Sequence, residues 1–102
     1  MLQHVVAIHW NDAVPDGHAS VVVAALHNMV RSIDTVRDYR CGPDLGVSGA
    51  DNADFAIVAT FDDEAGWRVY DEHPLHNEVR ATYFKPYIAK RAATQFVFDS
   101  GR

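Results

Sequence analysis

Residues 70–79, "YDEHPLHNEV", bring a phenol and two imidazoles together within seven positions, with a proline between the imidazoles. Three roles suit such a cluster: metal coordination, acid–base work, or the capping of a helix. Metal is the weakest. His73 and His76 are spaced i, i+3 and His4 is a candidate third ligand, but a catalytic zinc site wants three oriented ligands with hydrogen-bonded support. Asp71, Glu72 and Glu78 are expected to face solvent, so neither a metal nor another cofactor is expected.

Acid–base work suits Tyr70 and His76 better. Pro74 pushes His73 out of the helical region and itself fits the first helical position. His73 is thus expected to cap a helix, with His76 in its first turn. The break also frees Tyr70 and His76 from the divergence that one continuous helix would impose. An imidazole with a pKa of about 6.5 is a base near neutral pH. A phenol can donate a hydrogen bond to a developing enolate oxygen. The helix N-terminus is expected to lower the pKa of His76 and keep it neutral. Structural roles stay open beside these: a core Tyr70 with its hydroxyl on a backbone carbonyl, and His4 and His76 as satisfied core groups.

The cluster needs elements to hold it. Residues 2–10, "LQHVVAIHW", read as a strand with His4, Val6, Ile8 and Trp10 on one face and Val5, Ala7 and His9 on the other. Pro15 and Asp16 open a helix running from about 17 to 33, with Val22, Leu26, Met29, Val30 and Ile33 at helical spacing. A second strand is expected over 36–42, a loop over 43–54, and a continuous apolar strand over 55–61 that suits the middle of a sheet. Asp62 and Asp63 look like N-caps for a helix from about residue 64. This helix breaks at His73-Pro74 and resumes to about residue 84, and 93–99 form the last strand. His9, His18 and His27 read as surface or edge residues.

The order β-α-β-β-α-β predicts an α+β, ferredoxin-like domain over 1–102: a four-stranded antiparallel sheet with its helices on one face. Val5 and Ala7 leave the other face partly apolar, and a second copy of the sheet is the economical cover. A homodimer through the sheet faces is therefore expected. At 102 residues, 48% hydrophobic and 23% charged, the composition is that of a folded domain. The net charge of −5 argues against nucleic acid and anionic membranes as partners. Lys85, Lys90 and Arg91 are too sparse to track phosphates. Cys41 is the one cysteine, so no intramolecular disulfide is expected. No signal peptide or membrane span is expected, and a cytoplasmic location follows by default.

Three segments, "HVVAIHW", "DFAIVATFDDEAGWRVYDEHPLHNEV" and "FVFD", together resemble the stress-responsive A/B barrel (Dabb) family, whose members form dimeric α+β barrels. The resemblance extends to a plant polyketide cyclase of that family with the same Tyr-x-x-His-Pro-x-His spacing. It implies Tyr70 and His76 as a catalytic pair, with His4 and His73 in the pocket. Phe55 stands where that enzyme has a further pocket histidine, and residues 21–25 are aliphatic where its pocket is aromatic. Val6, Ile8 and Ile57 are expected to line the same cavity. The expected function is a cofactor-independent, aldol-type cyclase or lyase acting on a small apolar carbonyl compound. Two alternatives remain: a non-catalytic stress-associated or ligand-binding barrel, and, by analogy of fold, a cofactor-free monooxygenase.

Overall fold

A computed structural model describes residues 1–99. Four strands and three helices follow in the order β1 (Leu2–Trp10), α1 (His18–Val30), β2 (Val36–Pro43), β3 (Phe55–Phe61), α2 (Glu64–Glu72), α3 (Pro74–Val79) and β4 (Ile88–Val97). A single π-helical turn, Arg80–Phe84, joins α3 to β4. The strands form one antiparallel sheet ordered β2-β3-β1-β4. The architecture is the α+β, ferredoxin-like one. The apolar run 55–61 is indeed a central strand.

Alternation along β1 decides what the helices cover. Leu2, His4, Val6 and Ile8 are buried, while the residues between them are only half-buried. The buried set packs with Val22, Leu26 and Met29 of α1, with Phe55, Ile57, Ala59 and Phe61 of β3, and with Tyr70 of α2. Completely burying one such aliphatic or aromatic side chain contributes about 1.5–3 kcal/mol. Both helical segments therefore lie on one side of the sheet. On the other side Val58 of β3 and Phe96 of β4 stay exposed.

Several local expectations need correction. Helix α1 ends at Val30, and Ile33 is buried in the turn that follows, where its amide bonds to the Val30 carbonyl. Gly17 supplies the left-handed φ of 74° that turns the chain into α1, without a side-chain cap. His18 is buried: its Nε2–H donates to the Tyr83 carbonyl at 2.8 Å, and its ring meets Trp10 and Tyr87 edge-on. It is a core polar group, not a surface one. Strand β4 begins at Ile88, five residues earlier than its apolar stretch suggests. Residues 88–92 lack strand-like alternation because β4 is an edge strand and no side chain in it is fully buried.

Among the described residues no helix is long and apolar enough to cross a membrane. Asp63 is the N-cap of α2: its carboxylate accepts from the Gly66 amide at 2.9 Å. Asp62 instead pairs with Arg37 at 2.8 Å on the surface. Asp63→Ala should destabilise the fold by about 1 kcal/mol, and Asp62→Ala by clearly less, because solvent screens an exposed ion pair. Urea denaturation midpoints compare the two directly, and equal losses would reject the cap.

Candidate functional site

The helix break behaves as the proline dictates. His73 is extended at φ −64°, ψ 136°, between α2 and α3. Its Nδ1 accepts the Leu75 amide at 3.1 Å, and Pro74 opens α3. The redirected chain brings His76 back over Tyr70. The two rings stack with centroids 4.2 Å apart and planes 29° from parallel. Both are buried, at 8% and 1% exposure.

Beneath this stack lies a cavity of about 190 Å³. Its sheet side is His4, Val6 and Ile8 from β1 and Ile57 from β3. Leu26, Phe84 and Ile88 complete the apolar walls, and Tyr70 and His76 form the roof. Five expected pocket residues or partners thus converge with Tyr70: His4, Val6, Ile8, Ile57 and His76. His73 does not join them. Its ring is committed to the α3 cap and is absent from the cavity lining, which corrects its assignment as a substrate contact. Among the described residues no three His, Cys, Asp or Glu side chains converge to hold an ion.

Hydrogen bonding fixes opposite tautomers on the two cavity histidines. His76 Nδ1 lies 3.2 Å from the Asp71 carbonyl oxygen. A carbonyl only accepts, so Nδ1 carries the proton and Nε2 keeps its lone pair. The Gln95 amide donates to His4 Nδ1 at 2.9 Å, which leaves the His4 proton on Nε2. One imidazole offers an acceptor and the other a donor. The Tyr70 hydroxyl meets not a backbone carbonyl but the hydroxyl of Tyr39, 2.9 Å away.

Burial sets the electrostatics. It pushes the pKa of His76 down to about 4, with Arg80 adding to the effect and the Asp71 contacts opposing it. It does the same to His4, also to about 4, helped by Arg91 and by His76 itself. The direction expected for His76 is thus the one found, with burial as its largest cause. Burial pushes Tyr70 up to about 12, and raises Tyr39 further still. At neutral pH the cavity is lined by two neutral imidazoles and the neutral Tyr70 phenol, whose hydroxyl is bonded to the neutral Tyr39 outside the lining.

Sequence reasoning missed the cations. Arg80, Lys85 and Arg91 line the cavity together with Asp71, which is half-buried rather than fully turned to solvent. Arg80 donates to the Asp71 carbonyl at 2.7 Å and to Asn77 Oδ1 at 2.6 Å. Arg80 stands four residues after His76 and so shares its helical face, a signal that was available. Arg91 is opposite Ile8 in the β1–β4 register, and directly opposed residues share a sheet face. That relation was hidden by beginning the strand at residue 93. Tyr39 gave no signal, because only the fold brings β2 near α2.

A wider surface depression, about 420 Å³ between α1 and α3, is lined by Asn28, Arg31, Glu78 and Thr82 among others and contains no histidine. The paired histidines and the Tyr70 phenol lie at the smaller cavity.

The family model for the stress responsive A/B barrel domain matches residues 2–98. A stress-response A/B barrel domain-containing protein of Arabidopsis thaliana is 28% identical over 83 residues, covering 79% of this chain and 72% of that protein. A dimeric ferredoxin-like protein of unknown function from Thermobifida fusca has 37% identity and a TM-score of 0.87, over 95% of this chain and 90% of that one. The hydroxynitrile lyase of Passiflora edulis shares the fold, at 20% identity and a TM-score of 0.80, with 97% and 94% covered.

The depressed histidines make stability depend on pH with a definite sign. Between about pH 6.5 and 4 the unfolded chain binds protons that the folded histidines refuse, so stability falls as pH falls through that window. The loss should be on the order of 1–3 kcal/mol per histidine. Urea midpoints at pH 7, 5.5 and 4.5 should converge in a His4→Gln/His76→Asn double variant. A pH dependence unchanged by the two substitutions would show that other groups carry it.

Proposed function

The chain belongs to the stress responsive A/B barrel domain family, and from that premise we propose that it is a homodimeric, cofactor-independent acid–base catalyst for a small apolar carbonyl compound. The observation that carries the proposal is the His76 tautomer. The Asp71 carbonyl holds the proton on Nδ1, and Nε2 is left as a base in a cavity with apolar walls. In an aldol- or lyase-type step, Nε2 takes the proton from the carbon next to a carbonyl. The released electron pair moves to the carbonyl oxygen. That oxygen then accepts a hydrogen bond from the Tyr70 hydroxyl or from His4 Nε2–H. When Tyr39 donates to the Tyr70 oxygen, the Tyr70 proton stays available for this purpose. The hydroxynitrile lyase of the same fold makes a catalytic pocket compatible with the architecture.

A second reading is binding without turnover. A histidine whose pKa lies near 4 is always free to accept a proton at neutral pH, yet is a weak base, because efficient general bases have a pKa near the working pH. One measurement separates the two readings. Acetophenone is neutral and has one ring, a fit for a cavity slightly larger than the 150 Å³ or so that holds benzene. In heavy water the protein should speed deuterium exchange at its methyl group, as followed by proton NMR. His76→Asn should slow that exchange by about 10²–10⁴-fold, the usual contribution of a general base. Acetophenone that binds with no accelerated exchange supports the binding reading and rejects catalysis.

The exposed sheet face supports the dimer. Val5 and Ala7 of β1, Ala56 and Val58 of β3, and Ala92, Thr94 and Phe96 of β4 follow the same side of the sheet by register. Two copies meeting face to face would hide this apolar strip, in the way stacked sheets pack at about 10 Å. The Thermobifida fusca relative is itself dimeric. Val58→Glu should give monomers in sedimentation velocity at micromolar concentration, whereas a persistent dimer would move the interface elsewhere.

A further inference from the structure

The cavity is mostly apolar in its walls, but charges gather around it. Arg80, Lys85 and Arg91 stand against the single carboxylate of Asp71, and both histidines are neutral. The lining is therefore net positive in a chain whose net charge is −5. Such a local reversal of sign is not what a random scatter of nine basic residues among fourteen acidic ones would concentrate at one cavity.

The cations also differ in their commitments. Arg80 is occupied, with its guanidinium on Asp71 and Asn77. Lys85 and Arg91 make no ion pair among the described residues and are exposed. They approach from different elements, Lys85 from the end of the π-turn and Arg91 from β4. Lys90, the other nearby cation, pairs in register with His9 and so belongs to the opposite face of the sheet. Arg91 is close enough to His4 to depress its protonation, and Arg80 to that of His76. The free positive charge of Arg91 thus borders His4, while the cation beside His76 is the committed Arg80.

We infer that the cavity selects an organic carboxylate: an apolar body about one ring in size, with its anionic head held by Lys85 and Arg91. The apolar walls of Val6, Ile8, Leu26, Ile57 and Phe84 take the body. The guanidinium fork of Arg91 suits the two oxygens of a carboxylate, and Lys85 adds a point charge. A dianionic phosphate fits less well. Asp71 in the lining opposes a second negative charge, and the lining contains no glycine whose backbone could cradle a phosphate. This inference rests on the cavity being a ligand site, as in the proposed function, and gives its substrate class.

Isothermal titration with three one-ring probes tests it: benzoate, benzamide and phenyl phosphate, each at about 50 mM salt where charge recognition is least screened. Benzoate should bind at least about tenfold more tightly than benzamide, its neutral near-isostere. Arg91→Gln and Lys85→Gln are surface changes that spare the core. Each should weaken benzoate by about fivefold or more and leave benzamide unaltered. Benzoate binding no tighter than benzamide overturns the inference, as does a benzoate preference that survives both substitutions. Phenyl phosphate binding more tightly than benzoate overturns the choice of carboxylate. Benzoate has no hydrogen next to its carboxyl group to exchange, so it reads head-group recognition only. Acetophenone has no charge, so its exchange reads the base only, and failure of one idea is distinguishable from failure of the other.

Discussion

The steric conflict between Pro74 and the residue before it organises the functional half of this molecule. On an unbroken helix Tyr70 and His76 would sit about 9 Å apart along the axis and about 120° apart around it. They could not touch. Because His73 is forced into extended geometry, α3 starts on a new axis and His76 returns over Tyr70 at stacking distance. The ring of His73 then accepts the Leu75 amide, one of the orphan donors that a new helix start exposes. The break also leaves the Asp71 carbonyl, in the last turn of α2, near both His76 Nδ1 and Arg80. A single backbone constraint thus produces the stack, the tautomer and the anchoring of the nearest arginine.

The cavity's polarity follows from burial rather than from charge pairing. Removing two imidazoles from water keeps both neutral, and neutrality gives each ring one donor and one acceptor nitrogen. Backbone and amide partners then choose which nitrogen does which. The phenol pair adds two more neutral groups whose hydrogen bond can run in either direction. Positive charge is confined to side chains at the edge of this neutral interior.

Much of the arrangement was legible in the residues. The alternation of β1 placed His4, Val6 and Ile8 on one face, and the proline separated the roles of His73 and His76. Asp63 announced itself as a cap by its place before a helical stretch. What escaped the sequence depended on tertiary contact. His18 looks like a surface histidine by its neighbours, but it is buried because the π-turn presents the Tyr83 carbonyl to it. Tyr39 meets Tyr70 only once β2 and α2 are docked. Arg91 was lost because an edge strand over a cavity lacks the apolar rhythm by which strands are recognised.

Strand β4 carries a consequence for how this chain can diversify. Its residues 91, 93 and 95 share a face with Ile8, Val6 and His4, whereas 92, 94 and 96 share the opposite face with Ala7, Val5 and Gln3. The two sets are interleaved in sequence but exposed to unrelated demands. In the first set Arg91 lines the cavity and Gln95 holds the His4 ring in it, whereas the second set belongs to the outer sheet surface. Point mutation can therefore change the inner and the outer face of this strand as separate evolutionary coordinates. Insertion or deletion of one residue in this strand would exchange the two sets at once, so length in β4 should be held far more tightly than identity.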